Sequence, residues 1–545
     1  MRLKNMKPSI NYLSRCLTAC IFLLAGCVEL DVVPTNKFTD DTYWSSVEKA
    51  SSLLSMGYRQ MNDVGRIFRD ERLSDNLYNS YGNDDVRVTA NGQANTSTAM
   101  FDNYWGDMYG GIKTTHTFLA NVDRVEGMDE ALRNRMKAEA RFIRAFLFFQ
   151  LTNWYGDVPF FTEDITLEIA TTISPTPQTT IVDFIHSELE EVAEILPTSY
   201  GPGDKGRITA GAAMAFNARV ALNFNDWERV KTYTDKLINS TQYGTYTLFP
   251  SYEGIFHFAN QYNSEIILDI QYAPEVRTWS EISTYVPFSL TGVQYIQASP
   301  TQDLVDTYLM KDGTKWDESK DPYADRDPRL DMTIYRHGSP INRRDIPDSV
   351  YNVNVDPNDP DNDTNDKIGR ENGTQTGYFY RKFYDPNPAA WTGGTSWNCN
   401  INFVVLRFAD VLLMHAEAMN ELDQMDAAVW DKTIKPLRER AGFDNTALAR
   451  DFPGGGKDAL RAIIRDERRV ELALEGTRVY DIRRWRIAET VMNAPRRGAK
   501  FDLSTGSLKY YEYRNNTFNE NRDYLWAIPR QQWLINKNLG QNDGY

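Results

Sequence analysis

The sequence predicts a mainly α fold of tetratricopeptide-like helical hairpins, interrupted by an irregular, loop-rich and partly β portion. Three observations lead there. Apolar residues recur at helical spacing through 47–240 and again from 408 onward. Between those stretches, over about 241–400, glycine, proline and aromatics become frequent and the helical period is lost. The 545 residues are 41% apolar and 12% aromatic, which is the composition of a chain that buries a large core.

Residues 1–26 are set apart from the rest. Arg2, Lys4, Lys7 and Arg15 precede a short, mostly apolar run from Cys16 to Gly26, too short to span a bilayer as a mature helix. Leu24-Ala25-Gly26 then stand directly before Cys27, so the segment resembles a bacterial lipoprotein signal peptide with Cys27 as the lipidated new N-terminus. The remainder divides into a helical region, 27–240, and a C-terminal region, 241–545, whose segment at about 272–400 is the loop-rich insert.

Along the first region the spacing predicts helices over 105–125, 130–155, 179–196, 209–224 and 226–238. In the second of these, Phe142, Phe146 and Phe149 fall on one face, and Gly156-Asp157 with Pro159 stops it. In the fourth, Ala213, Phe216, Val220 and Phe224 form one stripe, and a short break joins it to its successor as a tetratricopeptide-like hairpin. Within 241–400, 264–272 alternates as a strand and 302–310 is a short helix. Helices return over 408–421, 425–441 and 457–475. The last carries a conflict, because Glu467 falls on the apolar face made by Leu460, Ile463, Ile464, Val470 and Leu474. A buried carboxylate requires partners, and Arg478, Arg483 and Arg484 are the nearest later cations.

Net charge is −15, and about −19 once the four basic residues of 1–26 are set aside, leaving 56 basic against 75 acidic. That balance opposes nucleic-acid binding. Of four cysteines only Cys399 lies beyond Cys27, so no internal disulfide is expected, and with no histidine near it in sequence Cys399 reads as a packed thiol. The five histidines lack metal-ligand spacing, and no HExxH, GxSxG or P-loop pattern occurs. The segment Asp356–Asp366 is rich in oxygen ligands that could hold a structural calcium, but it lacks the order of a calcium loop and its terminal glutamate. A solvated loop, no cofactor and no enzyme activity are the expectations.

Four stretches together resemble the SusD/RagB family of outer-membrane lipoproteins. They are Ala138-Glu139-Ala140-Arg141-Phe142 running on to Trp154-Tyr155-Gly156-Asp157-Val158-Pro159; Leu406-Arg407-Phe408-Ala409-Asp410 through Glu417-Ala418; Asp466-Glu467-Arg468-Arg469-Val470-Glu471 with Tyr480-Asp481-Ile482-Arg483-Arg484-Trp485; and Leu525-Trp526-Ala527-Ile528-Pro529 with the closing Asn538 to Tyr545. His415 stands where the family usually has tyrosine. The resemblance implies a surface-exposed outer-membrane lipoprotein that captures oligo- or polysaccharide and delivers it to a SusC-like TonB-dependent transporter. A peptide-capturing protein of the RagB kind is the alternative it leaves open, and a surface glycoside hydrolase or a structural adaptor are the remoter ones.

Capture of a sugar needs flat aromatic faces with polar groups at the rim. Three loops offer them: Tyr78, Tyr81, Asn83 and Asp84; Trp279, Tyr285 and Tyr295; Trp391 and Trp397. The resemblance adds Trp105, as the opening of a helix near the ligand face, and Tyr295, just before Ser299-Pro300-Thr301. The candidate ligand contacts are therefore Tyr81, Asn83, Asp84, Trp105, Trp279, Tyr295 and Trp391. Burial of Trp279, Tyr295 and Trp391 away from any cleft would favour the adaptor.

Overall fold

The structure is a computed structural model that describes residues 43–82, 84–292, 295–344, 350–361, 366–370, 372–393, 397–500, 510–513 and 517–545. Cys27, the segment before it and Asn83 lie outside the described residues. No described helix is long and apolar enough to cross a membrane.

The chain is mainly α. Helices α1 (Val47–Met61) and α2 (Val64–Arg72) lead into strand β1 (Leu77–Asn79) and the single-turn helix α3 (Asp85–Ala90). Then come α4 (Ala99–Asn121), α5 (Glu130–Tyr155), α6 (Gln178–Ile195), α7 (Ala210–Asn223) and α8 (Trp227–Ile238). Each packs on its predecessor from α4 onward, so the region is a run of antiparallel hairpins. The caps follow the sequence: Asp129, Thr209 and Asp226 accept backbone N–H bonds at the starts of α5, α7 and α8. On α7, Ala212, Ala213, Ala215, Ala218 and Ala221 are all buried, and these small side chains let α6 and α8 close on both sides.

After α8 the chain leaves for the insert through strand β2 (Ile266–Ile270) and strand β3 (Ala298–Pro300). It returns through strand β4 (Phe403–Arg407) to α9 (Phe408–Glu421), which docks directly on α8. The stack therefore continues across the insert as though it were absent. Beyond it, α10 (Ile434–Ala441), α11 (Lys457–Glu471) and α12 (Arg478–Arg484) complete the body.

Some expected boundaries change. The helix carrying Trp105 begins at Ala99, so Trp105 lies inside it rather than opening it. The helix expected over 425–441 is two, Ala427–Lys432 and Ile434–Ala441, broken at Thr433. The final long helix ends at Glu471, with Leu474 in the left-handed region at φ 68°.

The insert has a core of its own, built largely from rings because its described helices are too short to supply aliphatic stripes. Phe68 of α2 sits among Trp279, Tyr285, Tyr380, Phe383 and Phe403, with ring centroids 4.7–6.2 Å away. A buried ion network fastens this core to the helices. Arg329 from the insert meets Asp327, Glu467 and Glu471 at 2.7–2.8 Å, and Arg438 meets Glu467 at 2.8 Å. Arg407 binds Glu265, Glu471 and Glu475 at 2.6–2.8 Å. Glu467 is thus buried and paired as its position demands, but by Arg329 and Arg438. Arg478 and Arg484 are engaged with Asp75 and Glu417, and Arg483 donates to backbone carbonyls.

Candidate functional site

Among the sequence-predicted contacts, the structure brings Tyr81, Asp84 and Tyr295 together. Strand β1 pairs antiparallel with β3, in the register Leu77 to Pro300, Tyr78 to Ser299 and Asn79 to Ala298. The pairing runs on past the ladder, since the N–H groups of Ser80 and Tyr81 both donate to the Gln297 carbonyl at 3.0 and 3.3 Å. Two segments remote in sequence are thereby zipped side by side. The result is a ring pair, Tyr81 on Tyr295, with centroids 4.5 Å apart and planes 27° from parallel. Tyr81 is 39% exposed and Tyr295 half-buried, so the pair lies at the surface.

Asp84 ties the two loops of this platform together. Its carboxylate takes both oxygens' worth of contact from Arg72 Nη2 at 2.9 and 2.8 Å, and a further bond from Gln297 Nε2 at 2.8 Å. It also caps α3 by accepting from the Arg87 backbone N–H at 2.9 Å. Arg72 is itself buried and bonds Asn79 Oδ1 at 2.7 Å. Between Tyr81 and Asp84 the chain turns at Gly82, φ 77°, whose carbonyl accepts from Arg87 Nη1 at 2.6 Å. Only glycine adopts that backbone without strain. Asp84 therefore acts as a latch between the two loops, with its oxygens committed to Arg72, Gln297 and the α3 N-terminus.

The tryptophans behave differently. Trp279 is 5% exposed, donates from Nε1 to the Ile401 carbonyl at 2.8 Å, and packs in the Phe68 cluster. Trp391 is 8% exposed, donates to the Asp385 carbonyl at 2.8 Å, and packs edge-on against Trp397. This corrects the expectation that these two rings are offered to a ligand. In a portion whose described helices are short, such as Gln302–Thr307 and Arg329–Thr333, they anchor the long loops, and each indole N–H is spent on backbone. Trp105 is also buried, edge-on to Tyr155 at 5.1 Å. It belongs to the wall of a separate, mostly apolar groove of about 380 Å³ with Tyr109, Phe161 and Ile535. Of the three rings whose burial would favour an adaptor, two are buried and Tyr295 is not.

The described residues contain no cluster of histidine, cysteine, aspartate and glutamate suited to a metal. In the segment Asp356–Asp366, residues 362–365 lie outside the described residues. Asp366 is buried and accepts from the backbone N–H groups of Phe288 and Ser289, so its oxygens are already engaged. Cys399 is fully buried, and burial pushes its thiol far above the ordinary range. Among carboxyls raised in pKa, Glu71 is pushed up to about 7 by burial, but it is 0% exposed and bonded to Asn76 and the Gly476 N–H. It cannot reach a substrate.

Residues 264–545 match the SusD family, and residues 30–222 match a family described as starch-binding associating with outer membrane. Two SusD-like proteins of Formosa agariphila are similar. One is 25% identical over 96% of this chain and 98% of its own length, and the other 26% identical over 81% and 78%. The crystal structure of a SusD-like carbohydrate-binding protein from Bacteroides fragilis superposes with a TM-score of 0.81 at 26% identity, covering 91% of this chain and all of that one.

Proposed function

Because the chain belongs to the SusD family, we propose that it is a glycan-binding lipoprotein of the outer membrane, anchored at Cys27 and exposed at the cell surface. It captures oligo- or polysaccharide and delivers it to a SusC-like TonB-dependent transporter for import. The reading is supported by the family descriptions and by the carbohydrate-binding relative of the same fold. The observation that carries it is the surface Tyr81–Tyr295 pair, held rigid by the β1–β3 ladder and the Asp84 latch. A stacked pair presents a flat π-face at low entropic cost, which suits the C–H face of a pyranose ring. Catalysis has no part in the reading: Asp84 is bonded to Arg72 and Gln297, and Asp85 beside it accepts from the Met100 N–H.

The test is calorimetric titration of residues 28–545 with starch, laminarin, other polysaccharides, their oligosaccharides and mixed peptides, followed by analysis of each mixture for breakdown products. Saturable heat with one glycan class and no products is the expected result. Saturation by peptides alone would replace glycan by peptide capture, and breakdown products would make the protein a hydrolase.

A further inference from the structure

A further open groove shares no residue with the Tyr81–Tyr295 platform. It has a volume of about 450 Å³, within the range of small-molecule sites. Its walls come from three places: the loop between α6 and α7 (Thr198 to Thr209), the loop after α8 (Thr241 to Tyr246), and Tyr262 to Asp269 at the start of β2.

Tyr262 is the ring of this groove. It is 43% exposed, and its backbone stands in the left-handed region at φ 61°, an uncommon conformation for a bulky residue. The strained turn holds the ring outward instead of folding it into the core. Its hydroxyl donates to Gln271 Oε1 at 2.5 Å. That amide continues into a polar floor, in which Gln271 Nε2 bonds Asp269 Oδ1, and Asn402 Nδ2 reaches Asp269 Oδ2 at 3.1 Å and Gln271 Oε1 at 3.2 Å. Asp269 is 7% exposed and its carboxylate is held by amides, with no arginine or lysine paired to it among the described residues. Over the ring, Lys205 Nζ stands 5.5 Å from the centroid. Gly206, φ 87°, lies so close to Gln271 that a Cβ there would stand 2.2–2.5 Å from the amide atoms, so the loop is seated directly on the floor.

An outward ring above a floor of amides and one buried carboxyl, with Lys205 over the ring and Arg207 already paired to Glu139 and Asp204, matches a polyhydroxylated ring better than a multiply charged ligand. We propose that this groove is a second glycan-binding site, which stacks one pyranose unit on Tyr262 and bonds its hydroxyls through Lys205 and the Ser264 oxygen. It shares its ligand class with the reading above but none of its residues. Two separate contacts on one chain would let a long polysaccharide bind more tightly than its oligosaccharides through effective concentration.

The test titrates the full-length protein in detergent with maltoheptaose and with laminariheptaose. Four proteins are compared: wild type, Tyr81→Ala/Tyr295→Ala, Tyr262→Asn, and all three substitutions together. Asparagine is chosen because it tolerates the left-handed backbone. A stoichiometry of two in the wild type, one in each partial variant and none in the combination is expected with at least one of the two glycans. A stoichiometry of one that Tyr262→Asn leaves unchanged overturns the second site and leaves the first standing. Binding lost with Tyr262→Asn but not with Tyr81→Ala/Tyr295→Ala supports the second site and overturns the first. No heat in any of the four proteins overturns both. Lys205→Ala, which removes an exposed side chain and keeps the turn, is expected to weaken the second isotherm alone about fivefold. No change there would count against the groove even if Tyr262→Asn were silent through a disturbed turn.

Discussion

At the scale of single residues, the same type of side chain does opposite work according to where its loop is tied. Tyr81 and Tyr295 share a surface stack, while Trp279 and Trp391 fill a core and spend their N–H groups on carbonyls. Replacing Tyr81 or Tyr295 by alanine is therefore expected to weaken glycan binding by about 1–2 kcal/mol, or ~5–30-fold. Stability should shift by less than about 0.5 kcal/mol, because little packing is lost at the surface. Calorimetry with matched thermal melts separates the two effects. Trp279→Ala should do the reverse, costing about 3–5 kcal/mol of stability through the cavity it leaves. Asp84 should affect both readouts. Asp84→Ala removes a helix cap and strands the buried Arg72 guanidinium, so about 1–3 kcal/mol of stability and most of the binding should go together. Asp84→Asn, which keeps an acceptor for the cap, should recover part of each. Unchanged binding by Asp84→Ala would dissociate the latch from the platform.

At the scale of elements, the ion network between the insert and α11 is the joint that fixes one part to the other. Glu467→Ala would leave Arg329 and Arg438 without one of their carboxylates, at an expected cost of about 3–5 kcal/mol in urea unfolding. Its position on an apolar face signals burial in the sequence, but its partners come from remote elements that no local spacing reveals. Two other buried acids give a pH signature. Burial pushes the carboxyls of both Glu71 and Asp269 up to about 7, while in the unfolded chain they ionise near 4. The stability these groups contribute is fully present below about pH 4 and is lost as pH rises through about 7. Each contributes on the order of 3 kcal/mol at most. Burial lowers the pKa of His116, His186, His337 and His415, and these gain stability over part of the same range. The acid is therefore read by difference: Glu71→Gln is expected to remove a downward slope in stability between about pH 4 and pH 7. A slope identical in Glu71→Gln would show that Glu71 is not its source.

At the scale of the whole molecule, a capture protein that passes its ligand on should release it readily. The expected affinity of the isolated protein for its glycan is micromolar to millimolar, roughly −8 to −4 kcal/mol. Nanomolar binding would contradict transfer to a transporter. The architecture suits such a division of labour. The hairpin stack from α4 to α9 runs on across the insert, so the loop-rich part can vary its surface without disturbing the stack beneath it.

The sequence by itself determined the mainly α class and the places of most long helices, because helical periodicity and small-residue faces are local signals. Glu130–Tyr155 and Phe408–Glu421 form over the spans their patterns predict. The family was equally plain, since the matched motifs are the scaffold itself: Asp410, Glu417, Arg468, Asp481 and Arg484 are the buried ion pairs that lock the helices together. The tertiary structure alone decided which loop aromatics face outward. A ring in an irregular segment has no periodicity to assign its side. Only the pairing of β1 with β3, remote in sequence, exposes Tyr81 beside Tyr295, while the shortness of the described helices in the insert draws Trp279 and Trp391 into its core.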